Sequence, residues 1–129
     1  MMNFKKTAEK LIMLGLVPLA MAGCNFEPTI SFSQDVKPVL DQNCVECHLA
    51  DGAGTVVSGF NMTSYDDLMK GTNFGPMIIA GDPEGSNLLV LIEGRADPSI
   101  SMPHGQRDPV AKQDIQAIRL WIEQGAKNN

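Results

Sequence analysis

Two cysteines and a histidine lie together in the stretch Cys44-Val45-Glu46-Cys47-His48. On one helical turn, positions i and i+3 share a face, so both thiols can each form a thioether with one vinyl group of a single porphyrin. This spacing, with a histidine directly after the second cysteine, is typical of c-type haem attachment. His48 then falls beneath the ring, where a neutral imidazole nitrogen can bind the iron as proximal ligand. The stretch therefore predicts one covalently attached haem c.

Other uses of a Cys-x-x-Cys pair remain open at this point. A thioredoxin-like redox centre needs a βαβ context, which the sequence does not show. A zinc site needs further ligands, and the chain has no second cysteine pair and only His104 as another histidine. The third alternative is a structural disulfide. Haem attachment is favoured because the whole motif is rare by chance in a chain with 3 Cys and 2 His.

The first 23 residues have the pattern of a secretory signal peptide. Lys5, Lys6 and Lys10 form a basic region ahead of the apolar run 11–22, and small residues follow. An apolar run of this length is too short to cross a bilayer as a stable helix. We therefore expect residues 1–23 to be removed, residues 24–32 to form a tether and residues 33–129 to form one domain.

The stretch Met21-Ala22-Gly23-Cys24 resembles the lipobox of bacterial lipoproteins. The resemblance implies cleavage before Cys24, lipidation of its thiol and acylation of the new amino group. Several acyl chains anchor a protein stably, whereas one chain holds it only marginally. We expect an exported protein anchored to a bacterial membrane and facing the periplasm. Asn25, in place of the aspartate that favours inner-membrane retention in enteric bacteria, points to the outer membrane.

The chain after the predicted signal peptide is acidic. From residue 24 onward it has seven Lys and Arg and fourteen Asp and Glu, a formal charge of −7. This balance argues against nucleic acid as a partner and favours a protein with a basic patch, with association that weakens as salt rises. We expect redox proteins as partners, including a larger dehydrogenase or oxidase, and contact with the membrane through the lipid anchor.

The periodicity of apolar residues predicts a small all-α domain of about four helices around one haem. The first helix, capped by Ser33 or Asp35, ends near Asn43 and leads into the attachment motif. Loops are predicted at 49–59 and 97–108. The other helices are expected at about 64–70 from the capping-box pattern, after Asp82-Pro83, and at about 111–124. No strand pattern and no internal repeat is evident.

The residue on the distal side of the iron decides what the site can do. The candidates are Met62, Met69, Met77, Met102 and His104. Met62, Met69 and Met77 lie in apolar or helical settings and are more typical of core residues. Met102 lies in a polar loop next to Pro103, and its thioether would close the site and raise the potential. His104 would instead give two histidine ligands and a lower potential, and an open site is the third possibility.

Several motifs together resemble one family of c-type cytochromes. They are the stretch 33–40 ahead of Cys44-x-x-Cys47-His48, Gly81-Asp82-Pro83 with Ser86-x-Leu88, Met102-Pro103, and Trp121-Ile122-x-Gln124-Gly125-Ala126. They resemble the single-haem domains of the planctomycete cytochrome C type over about residues 33–126. The resemblance implies the cytochrome c fold, with the first and last helices crossing beside the haem. It also implies covalent attachment at Cys44 and Cys47, His48 as proximal ligand and Met102 as distal ligand.

The sequence thus predicts a membrane-anchored carrier of single electrons rather than an enzyme, with no residue acting as acid, base or nucleophile. One alternative is a haem-based sensor or peroxidase-like enzyme with an open or His104-lined distal site. Another is an accessory subunit that docks its haem on a larger oxidoreductase.

Overall fold

The computed structural model describes residues 27–129, which form a helical domain. A π-helical turn at Phe32–Val36 leads directly into the first of six α-helices, which are α1 (Lys37–Asn43), α2 (Val45–His48), α3 (Ala53–Ser58), α4 (Tyr65–Lys70), α5 (Asn87–Ile92) and α6 (Lys112–Glu123). Across this part of the chain there is no β-strand, only an isolated bridge between Thr72 and Gly75. The all-α prediction is confirmed.

The prediction of about four helices is too low. The four expected helices are present, but the attachment motif forms a separate helix, α2, and the expected loop 49–59 contains α3. Helix α3 contains Gly54, is flanked by Gly52 and Gly59, and has no buried residue, so its sequence shows no apolar periodicity. Its last turn is held by the Ser58 hydroxyl, which donates to the Gly54 carbonyl at 2.7 Å, and it ends at Gly59, whose φ of 75° favours glycine.

Two predicted helix starts were misplaced. The first helical segment is capped by Ser31, whose hydroxyl accepts from the amide of Gln34, rather than by Ser33 or Asp35. The third expected helix, α5, begins at Asn87 after Ser86, because Asp82 instead closes a turn by accepting from the amide of Gly85 at 2.9 Å. The capping box at Ser64 is confirmed, since Ser64 accepts from the amide of Asp67 at 3.1 Å.

The core lies where the first helical segment packs on α6. The rings of Phe32 and Trp121 have centroids 5.4 Å apart, and Phe32 meets Tyr65 edge to face at 5.2 Å. Trp121 is buried, and its indole N–H donates to the carbonyl of Lys127 at 2.8 Å. Burial of these aromatic rings without an unpaired polar group stabilises the contact between the first helical segment and α6.

The segment just before the first helix is bound to the C-terminal residues. The side chain of Gln124 accepts from the amide of Ile30 at 2.8 Å and donates to the carbonyl of Pro28 at 2.9 Å. Asn129 accepts from the amide of Phe32 at 2.8 Å through its side chain. The residues that lead into the first helix are therefore ordered against the end of α6.

Charged side chains tie α5 to α6. Arg119 on α6 forms ion pairs with Glu84 and with Glu93, which follows α5, and Arg95 also pairs with Glu93. Glu93 is the most buried member, with a side chain 16% exposed. Its partial desolvation opposes ionisation, but its bonds to Arg119 and Arg95 outweigh this and lower the pKa of the carboxyl.

Within residues 27–129, none of the helices has both the length and the apolar character needed to span a membrane.

Candidate haem-binding site

The attachment motif forms the helical turn that its spacing requires. Cys44 ends α1, and its carbonyl accepts from the amides of Cys47 at 3.1 Å and His48 at 3.0 Å. The two thiols are free, with Cys44 half-buried and Cys47 exposed. The local hydrogen bonds therefore present both thiols and the imidazole from one short element.

The imidazole of His48 is buried and held in one tautomer. Its Nδ1 lies 2.8 Å from the carbonyl oxygen of Phe60. Because a carbonyl oxygen only accepts, Nδ1 carries the proton and the lone pair of Nε2 is left for a metal. The hydroxyl of Thr55 donates to the same carbonyl at 2.9 Å, and the main chain of His48 accepts from the amide of Met62 at 2.7 Å. A metal-binding histidine needs this kind of outer hydrogen bond to fix its ring.

Gly54 of α3 lies against the unprotonated side of the His48 ring. A Cβ atom at position 54 would come within 2.7 Å of Cε1 and 2.9 Å of Nε2 of His48. No side chain fits there without displacing the imidazole. Helix α3, which lies in the expected loop 49–59, is therefore packed against the candidate proximal ligand.

A cavity of about 340 Å³ opens in front of these residues. Both thiols and His48 form one part of its lining, and apolar side chains form most of the rest, among them Phe60, Met62, Met77, Leu88, Leu91 and Ile92. Met62 and Met77 are buried, in agreement with their interpretation as core residues, but both also contact this space.

The lining is suited to a large apolar group. Val57 on α3 contributes to the cavity, yet 79% of its surface is exposed. An apolar side chain in a cleft gains free energy only when a further apolar surface covers it. The cavity thus combines two thiols, an imidazole nitrogen oriented for a metal and incompletely covered apolar walls. This set of residues fits a haem held by thioethers and by one histidine.

Burial raises the pKa of the Cys44 thiol to about 11, and the neighbouring Cys47 adds to this effect. Redox-active and metal-binding cysteines need the thiolate, which such sites stabilise by lowering the pKa. The shift at Cys44 is in the opposite direction. Burial therefore favours the neutral thiol at Cys44 in this structure, rather than a thiolate. In the described part of the chain, no cluster of three or more His, Cys, Asp or Glu side chains could hold a metal ion.

The structure brings both distal candidates to the same cavity. The amide of Met102 donates to the carbonyl of Leu91 at 3.1 Å, which holds the start of its loop against the end of α5. Met102 is half-buried and His104 is exposed, and both belong to the lining. Met69 is packed against the core and is not part of the lining.

Three contributors to the site were not found from the sequence. They are Gly54, the carbonyl of Phe60, and Arg107, which lines the cavity and forms an ion pair with Glu46 of the attachment motif at 2.7 Å. The hydrogen bond and charge of Glu46 raise the pKa of the Arg107 guanidinium. A glycine, a main-chain carbonyl and a lone surface arginine carry no motif, so no pattern in the sequence points to them. The predicted lipidation site, Cys24, lies outside the described residues.

Comparison with known proteins gives one match. Residues 44–105 match the family model described as planctomycete cytochrome C. The matched segment includes the attachment motif and both distal candidates, and it leaves out the first helical segment and α6. No curated protein and no solved structure gives a significant match to the chain. The segment 44–105 is therefore similar to the planctomycete cytochrome C family, which is the family that its motifs resemble.

Proposed function

We propose that the protein is a single-haem c-type cytochrome that carries single electrons between redox partners while anchored to a membrane. The observation that carries this proposal is the composition of one cavity, whose lining includes Cys44, Cys47, His48 and Met102. The match of residues 44–105 to a cytochrome family model supports haem binding and an electron-carrier role in general terms. Contact between Phe32 and Trp121, from the first and last helical segments, supports the cytochrome c fold.

Each residue of the site has a distinct task in this proposal. Cys44 and Cys47 would hold the haem through thioethers at the end of α1, and Nε2 of His48 would bind the iron from one side. The thioether of Met102 would bind from the other side and favour the reduced iron. When bound, haem supplies a one-electron couple between ferrous and ferric iron. The apolar walls would exclude water, which keeps the rearrangement that accompanies electron transfer small.

The charge around the attachment motif supports a basic redox partner. Between Lys37 and Lys70 the chain has no Lys or Arg but has five acidic residues, which are Asp41, Glu46, Asp51, Asp66 and Asp67. A partner with basic side chains would be attracted to these carboxylates, and association would slow as ionic strength rises. Lipidation at Cys24 would confine the encounter to a membrane facing the periplasm and raise the local concentration of the two proteins.

Spectra and potentiometry of the purified, haem-loaded protein test the proposal. We expect reversible one-electron titration, low-spin spectra in both oxidation states and a ferric absorption band in the far red from the methionine ligand. Two-electron behaviour, or turnover of peroxide at a rate typical of a peroxidase, would contradict the carrier function.

A second function has one observation in its favour. His104 is exposed and lines the same cavity as Met102, so it is available as a ligand or an acid–base group at an open distal face. A sensor or peroxidase-like protein of this kind would bind carbon monoxide in the ferrous state without denaturant. A closed electron carrier would not.

A further inference from the structure

The loop after Met102 is weakly attached to the rest of the domain. Residues 103–109 form no main-chain hydrogen bond to any described residue, and His104 to Pro109 are all exposed. The loop is fixed at one end by the bond from the amide of Met102 to Leu91 and at the other end by the buried side chain of Val110. Anything that holds its middle must therefore be a side-chain contact.

One such contact joins the loop, through a residue of the cavity lining, to the attachment motif. The guanidinium of Arg107 lies 2.7 Å from the carboxylate of Glu46, and among residues 27–129 this is the one ion pair made by the segment 103–109. Glu46 lies on α2 between the two cysteines. The pair thus joins the element that carries the predicted proximal ligand to the loop that begins at the predicted distal ligand.

We propose that Glu46 and Arg107 are positioning residues that hold the 103–109 loop across the cavity and so keep Met102 at the distal face. The role in ligand positioning depends on the proposed function, whereas closure of the loop by the ion pair does not. Neither residue binds the iron. Their effect is on the equilibrium between a closed loop and a loop that has moved away from the cavity.

The expected effect is modest, because the pair is largely exposed. The side chain of Glu46 is 75% exposed and that of Arg107 is 39% exposed. An ion pair of this kind changes an equilibrium constant by about two- to fivefold at low salt. Its contribution is screened in concentrated salt. These two properties define the test.

Imidazole is the probe for the distal face. It can bind ferric iron only when Met102 has moved away, so its affinity reports how often the loop opens. In the haem-loaded protein at low salt, Glu46→Gln and Arg107→Gln are each expected to bind imidazole about two- to fivefold more tightly than wild type. The double variant should bind imidazole no more tightly than either single variant, because each single substitution already removes the same contact. The charge exchange E46R/R107E should restore the wild-type affinity, and about 1 M salt should abolish the differences.

The matched control is Lys37→Gln. It breaks another exposed ion pair, between Lys37 and Asp41 on α1, which does not involve the loop. This variant is expected to bind imidazole as wild type does. Tighter binding in Lys37→Gln, or unchanged binding in both Glu46→Gln and Arg107→Gln, would overturn the proposal.

A second measurement does not depend on the iron ligand. Trypsin must take the side chain of Arg107 into its binding pocket, so the ion pair with Glu46 has to break and the loop has to move before it cleaves there. Cleavage there should therefore be faster in Glu46→Gln than in wild type and Lys37→Gln. Equal rates would overturn loop closure by the pair. If Met102→Ala binds imidazole no more tightly than wild type, Met102 is not the ligand and the closed site of the proposed function fails. The trypsin comparison then still decides whether the ion pair closes the loop.

Discussion

Nδ1 of His48 and the carbonyl oxygen of Phe60 are 2.8 Å apart, and this hydrogen bond joins the attachment motif to the chain that follows α3. Because the carbonyl also accepts from the hydroxyl of Thr55, α3 and the imidazole share one acceptor. The ring is thereby confined between this carbonyl and Gly54, and its free nitrogen is oriented without help from a metal.

Substitution of Gly54 by alanine should disturb the ligation of iron by His48. The new methyl group would lie 2.7 Å from Cε1 of the confined ring, and overpacking of this kind costs about 1–3 kcal/mol. We expect an altered absorption spectrum and a lower Tm of the haem-loaded protein. Alanine normally stabilises a helix relative to glycine, so the sign of the effect is informative. Val56→Ala, on the same helix at an exposed position outside the cavity lining, is the control and should leave the spectrum unchanged.

Covalent attachment should depend on both cysteines of the motif. Wild type is expected to keep its haem in acid acetone and to gain the mass of one haem, whereas the double variant Cys44→Ala/Cys47→Ala should lose it. Each single variant would retain one thioether. Extraction of haem from wild type by acid acetone would contradict attachment at these residues.

The two thiols should react differently in protein that carries no haem. At pH 8 the thiol of Cys44 stays protonated, since burial and the neighbouring Cys47 raise its pKa to about 11. Cys47 is exposed and should be alkylated first by iodoacetamide, with peptide mass spectrometry as the measurement. The rate of alkylation of Cys44 should approach that of Cys47 as the pH rises toward 11. Equal rates at pH 8 would show that the environment of Cys44 differs from this structure.

The far-red ferric band identifies the distal ligand. Met102→Ala should lose the band, while His104→Ala and Met77→Ala should keep it, although all three side chains line the cavity. Loss of the band in His104→Ala alone would assign the ligand to the histidine instead. Loss in Met77→Ala alone would show that a residue interpreted as core binds the iron.

The interaction of α5 with α6 should weaken in acid. The bonds of Glu93 to Arg119 and Arg95 outweigh its desolvation and lower the pKa of the carboxyl, so the ionised side chain stabilises the fold above its ordinary pKa of 4.5. This contribution is lost as the pH falls below 4.5 and passes through the lowered pKa that Glu93 has in the folded protein. Glu93→Gln should therefore reduce stability by about 1 kcal/mol at pH 7. The difference from wild type should shrink toward pH 3 in thermal unfolding experiments. A difference that grows in acid would contradict this sign.

The helical turn at the attachment motif could be predicted from the sequence because it depends on a short local pattern. The turn formed by Cys44, Cys47 and His48 depends only on main-chain bonds within five residues. The helical class follows equally from local periodicity, and the Ser64 cap from a local capping pattern.

Side-chain contacts that leave no periodic pattern account for what the sequence did not reveal. Helix α3 has no buried residue, so it leaves no apolar periodicity, and it is placed by contact of Gly54 with His48. The start of α5 was misplaced because Asp82 can cap either a helix or a turn. Its choice is fixed by the hydroxyl of Ser86, which donates to the carbonyl of Asp82 at 2.7 Å and accepts from the amide of Ile79 at 2.9 Å.

The bonds that hold residues 28–32 against Gln124 and Asn129 have a mechanical consequence. The helical chain from Phe32 to Asn43 separates these bonds from the thiols of the attachment motif. A force applied to the chain before residue 28 is therefore shared with α6 through these bonds before it reaches the motif.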